Sequence, residues 1–196
     1  MKKWIFILFI LTSLQVTAAE FMLSGGASFN HMNLLGQDQV PTYQGQGFFG
    51  DVDYLLPFGH RKAFSFFVHY QTSTLDNIHS ESPIKEKITL GYLGGGARLW
   101  VKQLFFSASL GKLTFKDVAT GEVEKNIESE ERAYELGIGY RIKVTQLMGL
   151  IISGHALNST LHPENGDGFD SEYRIWNYRA SIALNFVLPS IPSVPE

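Results

Sequence analysis

The chain has 196 residues, enough for one domain, and carries 16 basic and 19 acidic side chains for a formal net charge of −3. The acidic balance argues against a nucleic-acid partner, which requires a basic surface. The absence of cysteine excludes disulfides and thiol nucleophiles, and the scattered histidines show no ligand spacing, so we expect neither a metal nor a cofactor.

Residues 1–19 predict a secretory signal peptide. Lys2 and Lys3 give a cationic start, residues 4–14 are apolar, and residues 16–19 offer small side chains for cleavage after Ala18 or Ala19. The apolar run is shorter than the roughly 18 residues of a spanning helix. Without this leader the chain holds 14 basic and 19 acidic residues, a net charge of −5.

The first three predicted strands alternate large apolar side chains with polar or small ones. One face carries Phe21, Leu23, Ala27 and Phe29, then Phe48, Val52, Tyr54 and Leu56, then Phe64, Phe66, Val68 and Tyr70. The other carries Ser24, Gly26, Ser28 and Asn30, then Asp51 and Asp53, then Ser65, His69 and Gln71. Alternation with a period of two predicts a sheet with one apolar and one polar face.

The fourth strand and the link after the fifth strand are less regular. If the parity of strand 4 continued through the glycines at 94–96, Arg98 would face the apolar side, so we expect a bulge there to turn Arg98 inward. The link at 116–132 carries six acidic residues. It predicts either a hairpin that turns near 120–121 and offers strand edges to a partner, or a solubilising loop.

The last three strands restore the alternation. Strand 6 places Tyr134, Leu136, Ile138, Tyr140 and Ile142 opposite Glu135, Gly137, Gly139 and Arg141. Strand 7 is apolar on both parities up to Ser153 and His155, which we assign to the polar side. Strand 8 places Trp176, Tyr178, Ala180, Ile182, Leu184 and Phe186 opposite Asn177, Arg179, Ser181 and Asn185.

The links between strands alternate in length. Long links lie near 33–46, 76–83, 116–130 and 158–172, and short ones near 57–62, 100–103 and 143–146. An up-and-down sheet puts all long links at one end, which is typical of outer-membrane barrels. Aromatic residues near strand ends predict interfacial girdles, at Tyr54, Phe58, Trp100, Phe105, Tyr140 and Trp176. We therefore predict an all-β fold: an eight-stranded antiparallel up-and-down transmembrane β-barrel over residues 20–188, rather than a soluble barrel or sandwich.

This pattern resembles the small eight-stranded outer-membrane barrels, namely the OmpA transmembrane domain, OmpX and their relatives. The resemblance implies a monomer in the outer membrane of a Gram-negative bacterium, with both termini in the periplasm. It also implies contact with membrane lipids and lipopolysaccharide, and an extracellular partner for the loops. The series Tyr178, Ile182, Leu184 and Phe186 resembles the C-terminal signal that the barrel-assembly machinery reads, although the proline-rich tail at 189–196 follows it.

Charged and histidine side chains gather on the inward parity of the predicted barrel. They are Asp51, Asp53, His69, Lys87, Glu135, Arg141, His155 and Arg179. An unpaired buried charge is costly, so we expect these groups to pair, with Arg179 next to Glu135 or next to Asp51 and Asp53. This predicts a plugged lumen with a structural role, and a narrow gated water path is the alternative.

One segment predicts catalysis as a further alternative. Residues 155–159, with acidic residues at 164–172, resemble the outer-membrane lipid A deacylases, eight-stranded barrels with a histidine, serine and acid triad in a His-x-Ser-Asn motif. Leu157 stands where that motif has its serine, so Ser153 or Ser159 would have to be the nucleophile of His155. Ser153 lies on the same face about 7 Å away between Cα atoms. The competing interpretation is a lumen histidine in a polar network.

Overall fold

A computed structural model describes residues 20–35, 42–57, 62–78, 86–119, 128–161 and 173–188. No helix within these ranges is long and apolar enough to cross a membrane. Several predictions fall outside the described residues: the leader at 1–19, the aromatic Phe58, the turn at 120–121, the acidic residues at 164–172 and the tail at 189–196.

The eight strands form one closed barrel. They are β1 (Glu20–Leu35), β2 (Thr42–Pro57), β3 (Lys62–Asn77), β4 (Glu86–Val101), β5 (Leu104–Ala119), β6 (Glu128–Lys143), β7 (Met148–Leu161) and β8 (Tyr173–Leu188). Each strand pairs antiparallel with its sequence neighbours, and β1 pairs with β8. The predicted eight-stranded up-and-down barrel is confirmed. Closure pairs the backbone of every strand on both sides, which hydrocarbon surroundings demand.

The strands are longer than the sequence predicted. Most have 16 residues, whereas about 9–11 suffice to cross a bilayer. The first long link is therefore reduced to 36–41, because β1 and β2 pair as far as Asn33 and Thr42. Similarly, β5 and β6 continue across part of the acidic link, up to the pair Lys116 and Glu128. We call the end with these links the long-link end, and the end that holds Glu20 and Leu188 the short-link end.

The outer surface has an apolar band with a polar margin. The predicted parity of strands 1, 2, 3, 6 and 8 is confirmed, and outward side chains such as Phe48 and Leu136 are 72% and 66% exposed. So much exposed apolar area is stable only against lipid hydrocarbon. Towards the long-link end the outward side chains become polar. This polar collar includes Asp76, Lys87, Lys112, Lys116, Glu130, Arg132, Asn158, Thr160 and Arg174.

The expected bulge in β4 is wrong. The register of β4 runs unbroken through Gly94 and Gly96 against both neighbouring strands. Its apolar parity, Ile88, Leu90 and Tyr92, is buried inside the barrel, and Arg98 shares that inner parity. The inward placement of Lys87 is wrong for the same reason, since Lys87 is exposed. Apolar side chains recur at every second position whether they fill the lumen or face lipid. The alternation in β4 therefore could not show which of its faces is the inner one.

Two of the predicted girdle aromatics also lie inside. Trp100 and Phe105 are buried in the lumen with ring centroids 4.7 Å apart. Tyr54 and Tyr140 do face outward, 38% and 46% exposed. The two inward rings follow from the short turn at 102–103, which brings the last inward position of β4 and the first of β5 together.

The lumen is filled in layers. At the long-link end, all eight strands contribute to a buried apolar cluster, the upper cluster: Met32, Leu34, Tyr43, Leu75, Ile88, Leu90, Tyr92, Leu113, Phe115, Ala133, Leu157 and Ile175. At the short-link end lies the lower cluster: Met22, Phe49, Trp100, Phe105, Ile151, Ala183 and Val187. Buried polar and charged side chains occupy the space between these clusters. We call these buried polar and charged side chains the polar layer; on β7, for example, Ser153 and His155 lie between Ile151 of the lower cluster and Leu157 of the upper cluster.

The glycines of β4 supply a test of this packing. A Cβ on Gly96 would lie 2.1 Å from the carbonyl oxygen of Ala108, whereas a Cβ on Gly95 would meet nothing nearer than the Phe67 carbonyl at 3.6 Å. We expect Gly96→Ala to lower the free energy of unfolding by about 1–3 kcal/mol, because β5 must shift. Gly95→Ala is the matched control and should unfold like the wild type. Urea unfolding in detergent micelles measures both, and equal stabilities would contradict the register.

Candidate functional site

One arginine bridges two carboxylates in the polar layer. Arg98 on β4 donates from Nη2 to Asp51 Oδ2 at 2.7 Å and from Nη1 to Asp53 Oδ2 at 2.5 Å. Its guanidinium also lies 4.0 Å from the ring centroid of Phe67. Asp51 and Asp53 are on β2, two strands away, so these charge-assisted bonds cross the lumen. All three charged side chains are buried.

A second arginine extends the network through His69. The Nδ1 of His69 bonds Asp51, and its Nε2 lies 2.7 Å from Nη1 of Arg179. Since a guanidinium only donates, Nε2 must be the acceptor and the ring carries its proton on Nδ1. Arg179 also donates to Gln71 and, through Nη2, to Glu135 Oε1 at 3.1 Å. The chain of contacts therefore runs from β2 through β3 and β8 to β6.

Glu135 leads to a histidine and a serine. His155 Nδ1 lies 3.0 Å from Glu135 Oε1, and His155 Nε2 lies 3.0 Å from Ser153 Oγ. The Ser153 hydroxyl is also 2.7 Å from Ser181 Oγ on β8. A serine, a histidine and a carboxylate thus stand in the order that nucleophilic catalysis uses. Ser153 and His155 are two residues apart on β7, and their side chains nevertheless come within 3.0 Å of each other.

An amide layer covers the charges towards the upper cluster. Asn30 Oδ1 accepts from Gln71 at 2.9 Å and from Asn177 at 3.2 Å, while its amide donates to Ser73 at 3.1 Å. Tyr92 reaches down to this level and bonds Ser109 at 3.0 Å. Neutral groups thus complete the hydrogen bonds of the charged layer without adding charge.

Of the eight charged and histidine side chains predicted to lie inside the barrel, Lys87 faces outward and the structure brings six together: Asp51, Asp53, His69, Glu135, His155 and Arg179. Arg141 also faces the lumen, but it is only half-buried near the short-link end, and its Nε and Nη2 have no hydrogen-bond partner among the described residues. Of the expected pairings, Arg179 bonds Glu135, whereas Asp51 and Asp53 take Arg98 instead.

The sequence analysis correctly predicted that Arg98 faces inward, although through a bulge that is absent, and it did not include Arg98 in the charge network. The count of predicted inward charges hid the need for this arginine, because three acids were balanced by Lys87, Arg141 and Arg179, and of these cations only Arg179 joins the network. Ser159, the other serine considered as a nucleophile, bonds the Arg132 carbonyl at 2.8 Å instead of approaching His155. No cluster of three or more metal-ligating side chains occurs in the part of the chain that the structure describes.

Comparisons with known proteins define the class of the fold. No protein-family model matches the chain, and no curated protein sequence matches it. Among solved structures, the attachment invasion locus protein Ail of Yersinia pestis, solved in complex with the heparin analogue sucrose octasulfate, is 12% identical with a TM-score of 0.54, covering 87% of this chain and all of Ail.

Two further solved structures agree. The outer-membrane protein AlkL, determined in lipid bilayers, is 13% identical with a TM-score of 0.59 over 94% of this chain and 96% of AlkL. The Neisserial surface protein A is 10% identical with a TM-score of 0.52 over 86% of this chain and 97% of its own. At such low identity these likenesses show the fold alone, which is that of the small outer-membrane β-barrels.

The pairing of Arg98 can be tested by stability. We expect Arg98→Met to lower the free energy of unfolding by about 3–5 kcal/mol, because it leaves Asp51 and Asp53 buried and uncompensated. The triple change Asp51→Asn, Asp53→Asn and Arg98→Met should recover a large part of that loss. Lys112→Met, which breaks an exposed ion pair with Glu130, is the control and should cost at most about 1 kcal/mol. Equal losses for Arg98→Met and Lys112→Met would refute the buried pairing.

Proposed function

We propose that this protein is a non-conducting integral barrel of the outer membrane of a Gram-negative bacterium, which acts through the segments that it presents at its long-link end. One observation supports the proposal: in the described part of the barrel, buried side chains of all eight strands point into the lumen. Both apolar clusters consist of side chains no more than 8% exposed. A barrel packed in this way offers its surface, rather than a passage, to the surroundings.

The packing argues against an ion channel. An ion entering from the long-link end would meet an apolar cluster built from all eight strands, and an apolar constriction resists wetting. Beyond it, the carboxylates Asp51, Asp53 and Glu135 are already held by Arg98 and Arg179. Moving an ion through this layer would require breaking those pairs.

The two ends of the barrel support the proposed orientation in the membrane. Glu20 and Leu188 share the end with the short links, which is the periplasmic end of such barrels. The side chains of the proposed assembly signal, Tyr178, Ile182, Leu184 and Phe186, face outward on β8 and are 42–52% exposed. They are thus available to the assembly machinery. Lipids and lipopolysaccharide would surround the apolar band and its polar collar.

Conductance tests the filled lumen. We expect refolded protein, verified by a heat-dependent gel shift, to leave a planar bilayer silent. Arg179→Ala should lower the unfolding temperature, because Glu135 loses its partner, and should remain silent. Regular openings of the wild type would contradict the proposal. So would altered conductance of Arg179→Ala at unchanged thermal stability, which is the signature of an ion gate.

A second candidate function is hydrolysis of an acyl ester of a lipid. The two 3.0 Å contacts that link Ser153, His155 and Glu135 favour it. In such a reaction Ser153 Oγ attacks the ester carbonyl while His155 Nε2 takes its proton, the alcohol leaves with that proton, and water then releases the acid. A groove on the membrane face of β7 includes His155 in its lining. The deep burial of Ser153, 7% exposed, makes this the second candidate.

Lipid A mass spectra test the second candidate. Cells that make the protein should show lipid A lacking one acyl chain, and Ser153→Ala or His155→Ala should abolish the change. Ser159→Ala is the control, since Ser159 does not contact His155. An unchanged lipid A spectrum in cells with verified, folded wild-type protein would eliminate the hydrolase.

A further inference from the structure

A groove crosses the membrane-facing side of β7. Between the bulkier outward residues of β6 and β8, β7 carries only Gly154 and Ala156 at this level. The groove has a volume of about 650 Å³ and an almost entirely apolar lining. That volume lies within the roughly 300–1,000 Å³ typical of small-molecule sites. Its walls include Phe29, Leu136, Ile138 and Tyr178.

A second depression continues the groove towards the long-link end. It has a volume of about 630 Å³, and its lining is markedly more polar, with two cations and two carboxylates: Lys112, Glu130, Glu131, Arg132, Tyr134, Asn158, Ser159 and Thr160. The register joins the two depressions, because Leu136 pairs with Ala156 and Tyr134 pairs with Asn158 on the same two strands. The outer face of β7 is thus apolar along one half and polar along the next.

Cationic side chains stand on both sides of the polar depression. Arg132 on β6 lines it directly, and Arg174 on β8 pairs in register with Thr160 at its other side. Lys112 adds an ammonium that is more than half exposed and bonded to Glu130. Guanidinium and ammonium groups, with a hydroxyl and an amide between them, suit a phosphate group. Their height matches the margin of the apolar band, where lipid headgroups begin.

We propose that the two depressions form one binding site for a phosphate-bearing lipid of the leaflet at the long-link end. The lipid would lay one acyl chain along Gly154 and Ala156 and place its phosphate among Arg132, Arg174 and Lys112. The proposal rests on the membrane placement proposed above, but not on whether the lumen conducts. It predicts a single preferred lipid position on a surface that otherwise contacts lipid without selection.

An apolar solute or a second copy of this chain fits the two depressions less well than a phosphate-bearing lipid does. An apolar solute would fill the lower depression but make no polar contact with Arg132 or Arg174. A second copy of this chain, docked on the groove by twofold symmetry, would bring Arg132 and Arg174 of both copies together, and like charges repel. The phosphate-bearing lipid satisfies both halves of the groove at once.

Native mass spectrometry of the intact protein, released from detergent micelles, tests the proposal. The probes are dimyristoyl phosphatidic acid, dimyristoylglycerol, which lacks the phosphate, and inorganic phosphate, which lacks the chains. We expect one phosphatidic acid to remain bound to the wild type, with little retention of the other two. Arg132→Gln combined with Arg174→Gln should weaken this binding about tenfold, the effect of losing one or two charge-assisted bonds. Ala156→Leu, which fills the groove, should weaken it similarly.

Matched controls make the outcomes decisive. Lys87→Gln with Lys116→Gln removes two collar cations away from the groove, and Ala108→Leu enlarges an outward residue of β5; both should bind like the wild type. A heat-dependent gel shift verifies that every variant is folded. Equal retention of dimyristoylglycerol, equal loss in the control variants, no loss in the groove variants, or a lipid-free dimer would each overturn the proposal.

Discussion

The structure depends on the pairing of charges inside a narrow barrel. Asp51, Asp53 and Glu135 lie where water is scarce, and each takes an arginine from a strand that is not its sequence neighbour. Such pairs contribute little net stability by themselves, yet leaving one partner alone is strongly unfavourable. They therefore favour the one register in which all partners meet: β4 across from β2, and β8 across from β6.

The apolar layers follow from the same constraint. Above and below the charges, the lumen holds side chains such as Leu113 and Phe105 that exclude water and complete the packing. These layers lower the local polarity, which strengthens the enclosed ion pairs and hydrogen bonds. On β7, Ser153 and His155 lie between Ile151 and Leu157, which belong to these apolar layers. Because the Ser153, His155 and Glu135 side chains are buried, we propose a structural role first and hydrolysis second.

The fold could be predicted from the sequence because large apolar and polar side chains alternate in every strand that has a clearly polar inner face. In β6, for example, Glu135 and Arg141 alternate with Leu136 and Tyr140, and only one orientation fits. The prediction of β4 was wrong where Ile88, Leu90 and Tyr92 fill the lumen, since an inner apolar cluster imitates a lipid face. The exact contacts of Arg98, Arg179 and His155 depend on strand stagger across the barrel, which no local pattern in the sequence encodes.

The outer surface carries charged side chains beyond the apolar band. Strands longer than a bilayer requires carry Lys112, Arg132 and Arg174 past the apolar band, so the barrel meets lipid headgroups with charge rather than with loops alone. The groove over Gly154 and Ala156 lies directly beneath those cations. We therefore propose that recognition takes place on the exterior of the barrel.

Thiol accessibility tests the sealed lumen most directly, because the chain has no cysteine of its own. Ser109→Cys places a near-isosteric thiol in the polar layer, where Ser109 is 8% exposed, and Thr74→Cys places one on the exposed outer face of β3. The account predicts that a small charged thiol reagent labels Thr74→Cys in the folded protein but labels Ser109→Cys only after unfolding. Comparable labelling of both in the folded barrel would mean that water and ions reach the polar layer, and would contradict the account.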